Sequence, residues 1–445
     1  MKSIPFFLCS LSILLTADAE PPTRPSGGRA WPRLNVANRT LTLEAVTQTV
    51  LAENSSLKEA RAKWEAMKKR VPQAAAWDDL KISASTRLGR FVEVMPNSFT
   101  DQMLTVEQMI PISGKNQSRA RVAAAEALNG FEELRRKELD TIAKARTAYF
   151  RLAKVYALLE LNRANEGSLT QTLEISRARL EVGNQGQADV LTAEGELVRI
   201  IETRRNLERA VSDEATVLKV LMNRDAFWPL GKPVEFTAQV PLPPVERLRS
   251  LIFANRPEVR MAETGVTVAK AKLELARREW IPDPGVSVEA QRYNRASQAA
   301  SEVSAGISIN VPWVNWKKYR AGEGEARNGA EAAQQALDSA RTEALGMLRD
   351  QLQKIETFHH HVDLFADRLI PNARQTVQTN RTNYEGGKTG FLELVISDRA
   401  LREVEARARE HLADYQMAVA ELEALVGADL QIFSRRRETS KGKSK

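Results

Sequence analysis

The 445-residue chain carries a formal net charge of +8, four histidines and one cysteine, Cys9. Cys9 lies in an apolar stretch at the N-terminus, so a chain that sheds this stretch keeps no thiol, which excludes a disulfide framework, a thiolate metal site and a cysteine nucleophile. Much of the excess charge sits on Arg435, Arg436, Arg437, Lys441, Lys443 and Lys445, and the remainder is nearly balanced, so the basic sum is no argument for nucleic acid.

Met1-Lys2, an apolar run over residues 4–15 and the small-x-small site Ala17-Asp18-Ala19 predict a signal peptide over residues 1–19. Phe6-Phe7-Leu8-Cys9 is a poor lipoprotein box, so no lipid anchor is expected. Beyond residue 20 no window is apolar enough for a transmembrane helix. A membrane-embedded form must then be a closed β-barrel, the other structure that satisfies every backbone group in lipid.

Residues 20–40, rich in Pro, Gly and Arg, read as an extended leader. Residues 41–71 read as one helix, with Thr42 as its cap. Residues 81–90 alternate, with Ile82, Ala84, Thr86 and Leu88 against Lys81, Ser83, Ser85 and Arg87. Such alternation marks a strand with one apolar and one wet face. Pro96-Asn97-Ser98 marks a loop, and residues 102–111 return as a weaker strand with Leu104, Val106 and Ile110 on one side.

No proline occurs between Pro111 and Pro229. Ile142, Ala145, Tyr149, Leu152, Tyr156 and Leu159 step by three and four, the spacing of a coiled-coil seam. A helix over residues 116–181 reaches about 100 Å at the usual rise. Gly183-Asn184-Gln185-Gly186 turns the chain, and a second helix over residues 189–223 returns. Helices this long belong to a rod-like assembly.

Residues 226–244 form a linker, after which the pattern repeats over residues 245–430. Ala254-Asn255-Arg256-Pro257-Glu258-Val259 matches Ala52-Glu53-Asn54-Ser55-Ser56-Leu57. Strands are expected at 285–293 and 302–311, the second with Val303, Ala305, Ile307, Ile309 and Val311 on one face. Pro312 lies 201 residues after Pro111; Gly387 and Gly390 lie 204 after Gly183 and Gly186, and Glu393 lies 204 after Asp189. Pro371 lies 204 after Gly167, which predicts that both long helices are interrupted at one height. A last seam runs through Leu401, Val404, Ala408, Leu412, Tyr415, Val419, Leu422 and Val426, and residues 431–445 form a basic tail.

Two strand pairs cannot close a membrane barrel, since the small ones begin at about eight strands. An oligomer sharing one barrel follows, because open sheet edges are not tolerated in lipid. With this duplicated helix–strand–strand–helix–helix order, the strand exits Gln108-Met109-Ile110-Pro111 and Ile309-Asn310-Val311-Pro312, and the turns Leu180-Glu181-Val182-Gly183 and Tyr384-Glu385-Gly386-Gly387, the chain resembles the TolC-like outer-membrane factors. These are the exit ducts of tripartite efflux pumps and type I secretion systems.

The resemblance implies a mainly α fold with a small membrane β part: a homotrimer with a long coiled-coil α-helical barrel in the periplasm and a shared twelve-stranded β-barrel in the outer membrane. It implies a periplasmic adaptor, an inner-membrane transporter of RND or ABC type and outer-membrane lipid as partners, with no cofactor. It places Asp189 and Glu393 at the periplasmic pore entrance, where acidic rings narrow a pore and favour cations. Carboxylates in a first helical turn, complementing the dipole, are the equally weighted reading. Ile396 stands where the family has a second acidic position, with Asp398 two residues on. The turns with Gly183, Gly186, Gly387 and Gly390 would dock the adaptor and rearrange on opening.

Trp77, Trp280, Trp313 and Trp316 flank the strand pairs and suit an inner membrane–water interface; packing at helix–strand junctions is the alternative. His359-His360-His361 cannot converge on one ion from one helix, whose successive side chains diverge by about 100°. Solvated helix surface is the preferred reading of the triplet. No catalytic constellation, phosphate loop or metal site emerges, and the function that the resemblance implies is a passive duct for drugs or metal ions. Type I secretion of proteins and a periplasmic coiled-coil scaffold without a barrel are the alternatives.

Overall fold

The computed structural model describes residues 40–87, 100–183, 186–234, 242–293, 298 and 300–428. The expected signal peptide, the leader up to residue 39 and the basic tail fall outside them. Four strands and nine α-helices occur among the described residues, in an order that repeats.

Helix α1 spans Leu43–Glu53, and Thr42 caps it by accepting the Ala45 N–H at 3.2 Å. The helix expected to run unbroken over 41–71 is instead two. Asn54 leaves helical geometry at φ −59°, ψ 123°, and α2 spans Ser55–Ala75, continuing through Pro72. The Asn54 side chain explains the break. Its Oδ1 accepts the Ser56 and Leu57 N–H groups at 3.0 and 3.3 Å, an N-cap that the continuous helix would forfeit. Its Nδ2 donates to the Leu221 carbonyl at 2.8 Å, tying the break to the far end of a later helix. The second repeat breaks at the matching place, between α5, Val245–Asn255, and α6, Pro257–Arg278. There Arg256 has φ −66°, ψ 120°, and Pro257 starts the new helix where its missing N–H costs nothing.

The strands are β1, Lys81–Thr86; β2, Thr100–Met109; β3, Pro284–Tyr293; and β4, Glu302–Ile309. They form one antiparallel sheet in the order β1-β2-β3-β4. The expected strand over 81–90 is seen only to Thr86, since residues 88–99 lie outside the described part. The expected strands at 102–111 and 302–311 stop at Met109 and Ile309 because proline follows two and three residues later, and Pro312–Asn315 coils into a 3-10 turn.

Helix α3 runs Lys115–Glu181, 67 residues, or about 100 Å at 1.5 Å each. Helix α4, Gln187–Leu221, folds back on it. In the second repeat, α7 is Trp316–Leu364, a π-turn occupies Phe365–Leu369, α8 is Ile370–Glu385 and α9 is Phe391–Val426. The expectation of matched interruptions is corrected here: α3 passes Gly167 without a break, whereas the second helix bulges before Pro371. Glycine weakens a helix but keeps its N–H; proline removes a bond and its ring crowds the carbonyl four residues back, here Asp367 inside the bulge.

The core is a long seam in three parts. Val46 and Val50 of α1 pack with Ala145, Tyr149 and Leu152 of α3 and with Leu218 and Met222 of α4. The second repeat copies this with Leu248 and Ile252 of α5, Leu348 and Ile355 of α7, and Leu422 and Val426 of α9. Ala420 of α9 joins the first cluster and so stitches the two repeats together. A third cluster closes the far end with Leu173, Val190, Ala193, Phe391 and Val395. Leu152, Leu218 and Leu422 are fully buried, each contributing about 1.5–3 kcal/mol.

Candidate duct: a two-faced sheet, a collar and a helical tip

Cross-strand partners share a face. Ile82 pairs with Val106, Val106 with Val288, and Val288 with Ala305. One row away, Ala84, Leu104, Ala290 and Val303 line up in the same way. The opposite face carries Lys81, Glu107, Ser287 and Gly306 in one row and Ser83, Thr105, Glu289 and Ser304 in the next. Ile307 is 81% exposed and Ile82 and Val303 are each 66% exposed. An apolar face this bare, backed by a polar face, has no protein core on either side. Lipid on one side and water on the other satisfy it. Among the described residues no helix is long and apolar enough to cross a membrane. Strands β1 and β4 are both free edges of the described sheet.

Below the sheet the chain narrows into a collar. Asp283, immediately before β3, accepts the Ser113 N–H and the Ser113 hydroxyl, each at 2.8 Å. Lys115 Nζ lies 3.4 Å from the same carboxylate and donates to the Ile281 carbonyl at 2.6 Å, and Arg278 donates to the Ser113 carbonyl at 3.2 Å. Burial pushes the Asp283 carboxyl up, but the two Ser113 bonds and the Lys115 charge outweigh it and hold the group below the usual aspartate range. The collar ties the entry of α3 to the strand pair of the other repeat. Trp77, Trp280, Trp313 and Trp316 stand around it and are more than half exposed, as are Ile112 and Val314.

At the other end, the four expected glycines divide into two roles. Gly183 and Gly387 follow α3 and α8 with φ +74° and +67°, the left-handed geometry that side chains resist. Gly186 and Gly390 are the extended N-cap residues of α4 and α9. Asp189 and Glu393 fall in the first turns of those helices. The tip core joins the two starts, since Val190 packs with Phe391 and Val395. Asp189 is half-buried and Glu393 exposed at the same end of the molecule.

Of two further clusters, the first escaped the sequence reading and the second was read only in part. Glu196 of α4 is 5% exposed and faces three guanidiniums, with Arg199 Nη1 at 2.8 Å, Arg402 Nη2 at 3.4 Å and Arg399 in contact; Arg402 also pairs with Asp398. Nothing in the local sequence singles Glu196 out, because two of its partners lie on the other repeat. The histidine triplet is the second. His359 Nδ1 lies 3.0 Å from Asp363 Oδ2 and its ring is edge-on to Tyr415, His360 is exposed, and His361 packs against His411 of α9. The expectation of solvated surface thus describes His360 and not His361. Among the described residues no group of three or more His, Cys, Asp or Glu side chains is arranged to hold a metal ion.

The chain matches known proteins over most of its length. The family described as "Outer membrane efflux protein" matches residues 46–223 and 248–428, the two repeats. The alkaline protease secretion protein AprF of Pseudomonas aeruginosa is 22% identical over 81% of this chain and 76% of that protein. The toluene efflux pump outer membrane protein TtgF of Pseudomonas putida is 23% identical over 68% of this chain and 63% of its own length. Among solved structures, the outer-membrane channel OprN superposes with a TM-score of 0.73 at 18% identity, covering 87% of this chain and 90% of that one. The outer membrane protein VceC of Vibrio cholerae gives 0.73 at 16% identity, over 87% and 96%. With its duplicated unit matched repeat by repeat, its fold shared with outer-membrane channels and its two-faced sheet, the chain belongs to the outer membrane efflux protein family: it is a TolC-like outer-membrane duct and not an enzyme.

Proposed function

We propose that three copies of this chain close one twelve-stranded barrel and serve as the exit duct of a tripartite export system. The observation that carries the reading is the sheet: four strands, an apolar face, a polar face and two free edges. In lipid both edges must find partners. β1 and β4 run antiparallel when copies are placed edge to edge, so pairing β4 of one copy with β1 of the next continues the alternation without a parallel junction.

Below the barrel the coiled helices form the periplasmic wall. A periplasmic adaptor docks on the tips around Gly183, Gly186, Gly387 and Gly390, and an inner-membrane transporter supplies the energy. Asp189 and Glu393 line the entrance and favour cationic cargo. Efflux of small molecules is the main reading, supported by the match to TtgF. Secretion of proteins is the second, supported by AprF, whose match covers more of this chain.

Cysteine pairs placed on β1 and β4, in a chain whose only native cysteine is Cys9, test the assembly. The expected product is a crosslinked, heat-modifiable trimer in the outer membrane. A soluble monomer that forms no β1–β4 crosslink overturns the reading. Disulfides across the tips should block export, and the sensitivities and secreted proteins of a deletion strain separate the two cargoes.

A further inference from the structure

We propose that the packing of His361 against His411 forms an acid-sensitive latch, which closes the seam between α7 and α9 beside the π-turn while the His411 imidazole is neutral. The two rings lie 4.8 Å apart at 56°. Phe365, the first residue of the π-turn, packs on the same His411 ring at 4.9 Å. Nδ1 of His361 and Nδ1 of His411 are both buried with no hydrogen-bond partner among the described residues. A polar pair left unsatisfied in a helix seam costs stability, and the first repeat avoids that cost. Leu207 lies 204 residues before His411, the spacing that relates Gly186 to Gly390 and Asn223 to Gly427. The second repeat therefore uses imidazole where the first uses leucine.

The charges around the pair do not neutralise an added proton at the contact. Burial comes first, and then the neighbouring His361, in holding the His411 imidazole below its ordinary value; Arg407 acts in the same direction, and Asp414 and Glu410 oppose them. Asp414 is within 4.0 Å of Lys154 on α3, another helix packed against α9. On α7, Asp363 is engaged by His359, and His360 is exposed. Asp367 and Arg368 of the π-turn also point to solvent.

His411 takes up a proton less readily in the packed seam than when freed from it, so the packing is fully favoured above the ordinary imidazole value of 6.5 and is weakened as pH falls from there through the lower, packed value. Protonation of His411 then leaves a charge in a half-buried seam, where burial disfavours it. The π-turn, with its extra residue per turn, is the place where the chain yields. Below it α8 keeps its own pin on α9, Arg374 to Glu405 at 2.7 Å, so the expected motion is a local parting of α7 from α9 beside the bulge and not a loss of structure. The consequence for conduction rests on the duct reading; the latch itself rests on the α7–α9 packing.

The test uses the full chain in its native oligomer, spin-labelled at Glu356→Cys on α7 and Arg409→Cys on α9, both exposed. Distances between the labels are measured at pH 7.5 and pH 5.5. The expected result is a reversible shift and broadening on acidification that His411→Leu, the residue of the first repeat, abolishes. His361→Phe repeats the test if the first variant assembles poorly. An unchanged distance in the parent chain, or a shift that survives both substitutions, overturns the latch. Bilayer conductance is recorded in parallel. A pH-dependent parting of the seam with no conductance at any pH leaves the latch standing and counts against the duct.

Discussion

Ser113 and Asp283 stand 170 residues apart and share two hydrogen bonds of 2.8 Å, through the Ser113 N–H and its hydroxyl. One residue precedes the longest helix and the other precedes a strand of the opposite repeat. The joint sets where helical wall becomes membrane sheet. Hydrogen bonds to a charged group contribute about 1.5–3 kcal/mol each.

The Asp283 carboxyl is held below the usual range, so its contribution to stability is present above the unfolded aspartate value of 3.8 and is lost as pH falls through the lower, folded value. Thermal melting of the purified oligomer should therefore fall off steeply in that acidic window. Asp283→Asn should flatten this part of the profile and lower the midpoint at neutral pH. A variant whose acid profile matches the parent would show that the collar bonds do not form.

The two sheet faces should answer differently to one lysine. Ile307→Lys places a charge on the face assigned to lipid and should weaken membrane assembly by about 2–4 kcal/mol near the bilayer midplane. Ser304→Lys, on the face with Glu289 and Thr105, should assemble normally. Folding into vesicles across a urea series reads both, and equal losses would mean that the faces are misassigned.

Alanine substitutions at two left-handed glycines separate backbone strain from crowding. Gly183 at φ +74° has open space where a methyl group would sit, so Gly183→Ala should cost only about 1–2 kcal/mol, the left-handed penalty. Gly427 at φ +67° would place its Cβ 2.9 Å from the Asn255 carbonyl oxygen, a backbone atom that cannot swing aside. Gly427→Ala should therefore lower the melting point clearly more than Gly183→Ala. Equal shifts would show that the α9 end can move off the α5–α6 break.

Glu196 is the buried member of its cluster, and its removal leaves Arg402, 14% exposed, facing other guanidiniums. Breaking a buried pair from one side costs roughly 3–5 kcal/mol. Glu196→Leu should loosen the α4–α9 contact, measurable as faster proteolysis near the tip. Arg199→Ala, at a side chain 68% exposed, should change little, since exposed pairs contribute about 0–1 kcal/mol.

By itself the sequence determined everything that depends on period and punctuation. Period-two alternation located three strands and their apolar sides, the repeat placed the fourth, heptad spacing located the long seams, and matching glycines and prolines revealed the duplication. The tip turns were legible because Gly183 and Gly387 occupy backbone geometry that other residues resist. Only the tertiary structure decided what depends on partners distant in the chain. Asn54 breaks a helix because the end of α4 gives its side chain a carbonyl to reach. Gly167 and Pro371 carry the same offset yet behave differently, because a proline forces a bulge that a glycine does not. Glu196 and His411 look like ordinary helix-surface residues until α9 and α7 bring guanidiniums to one and an imidazole to the other. Local pattern fixes which way a side chain faces; only packing fixes what it meets there.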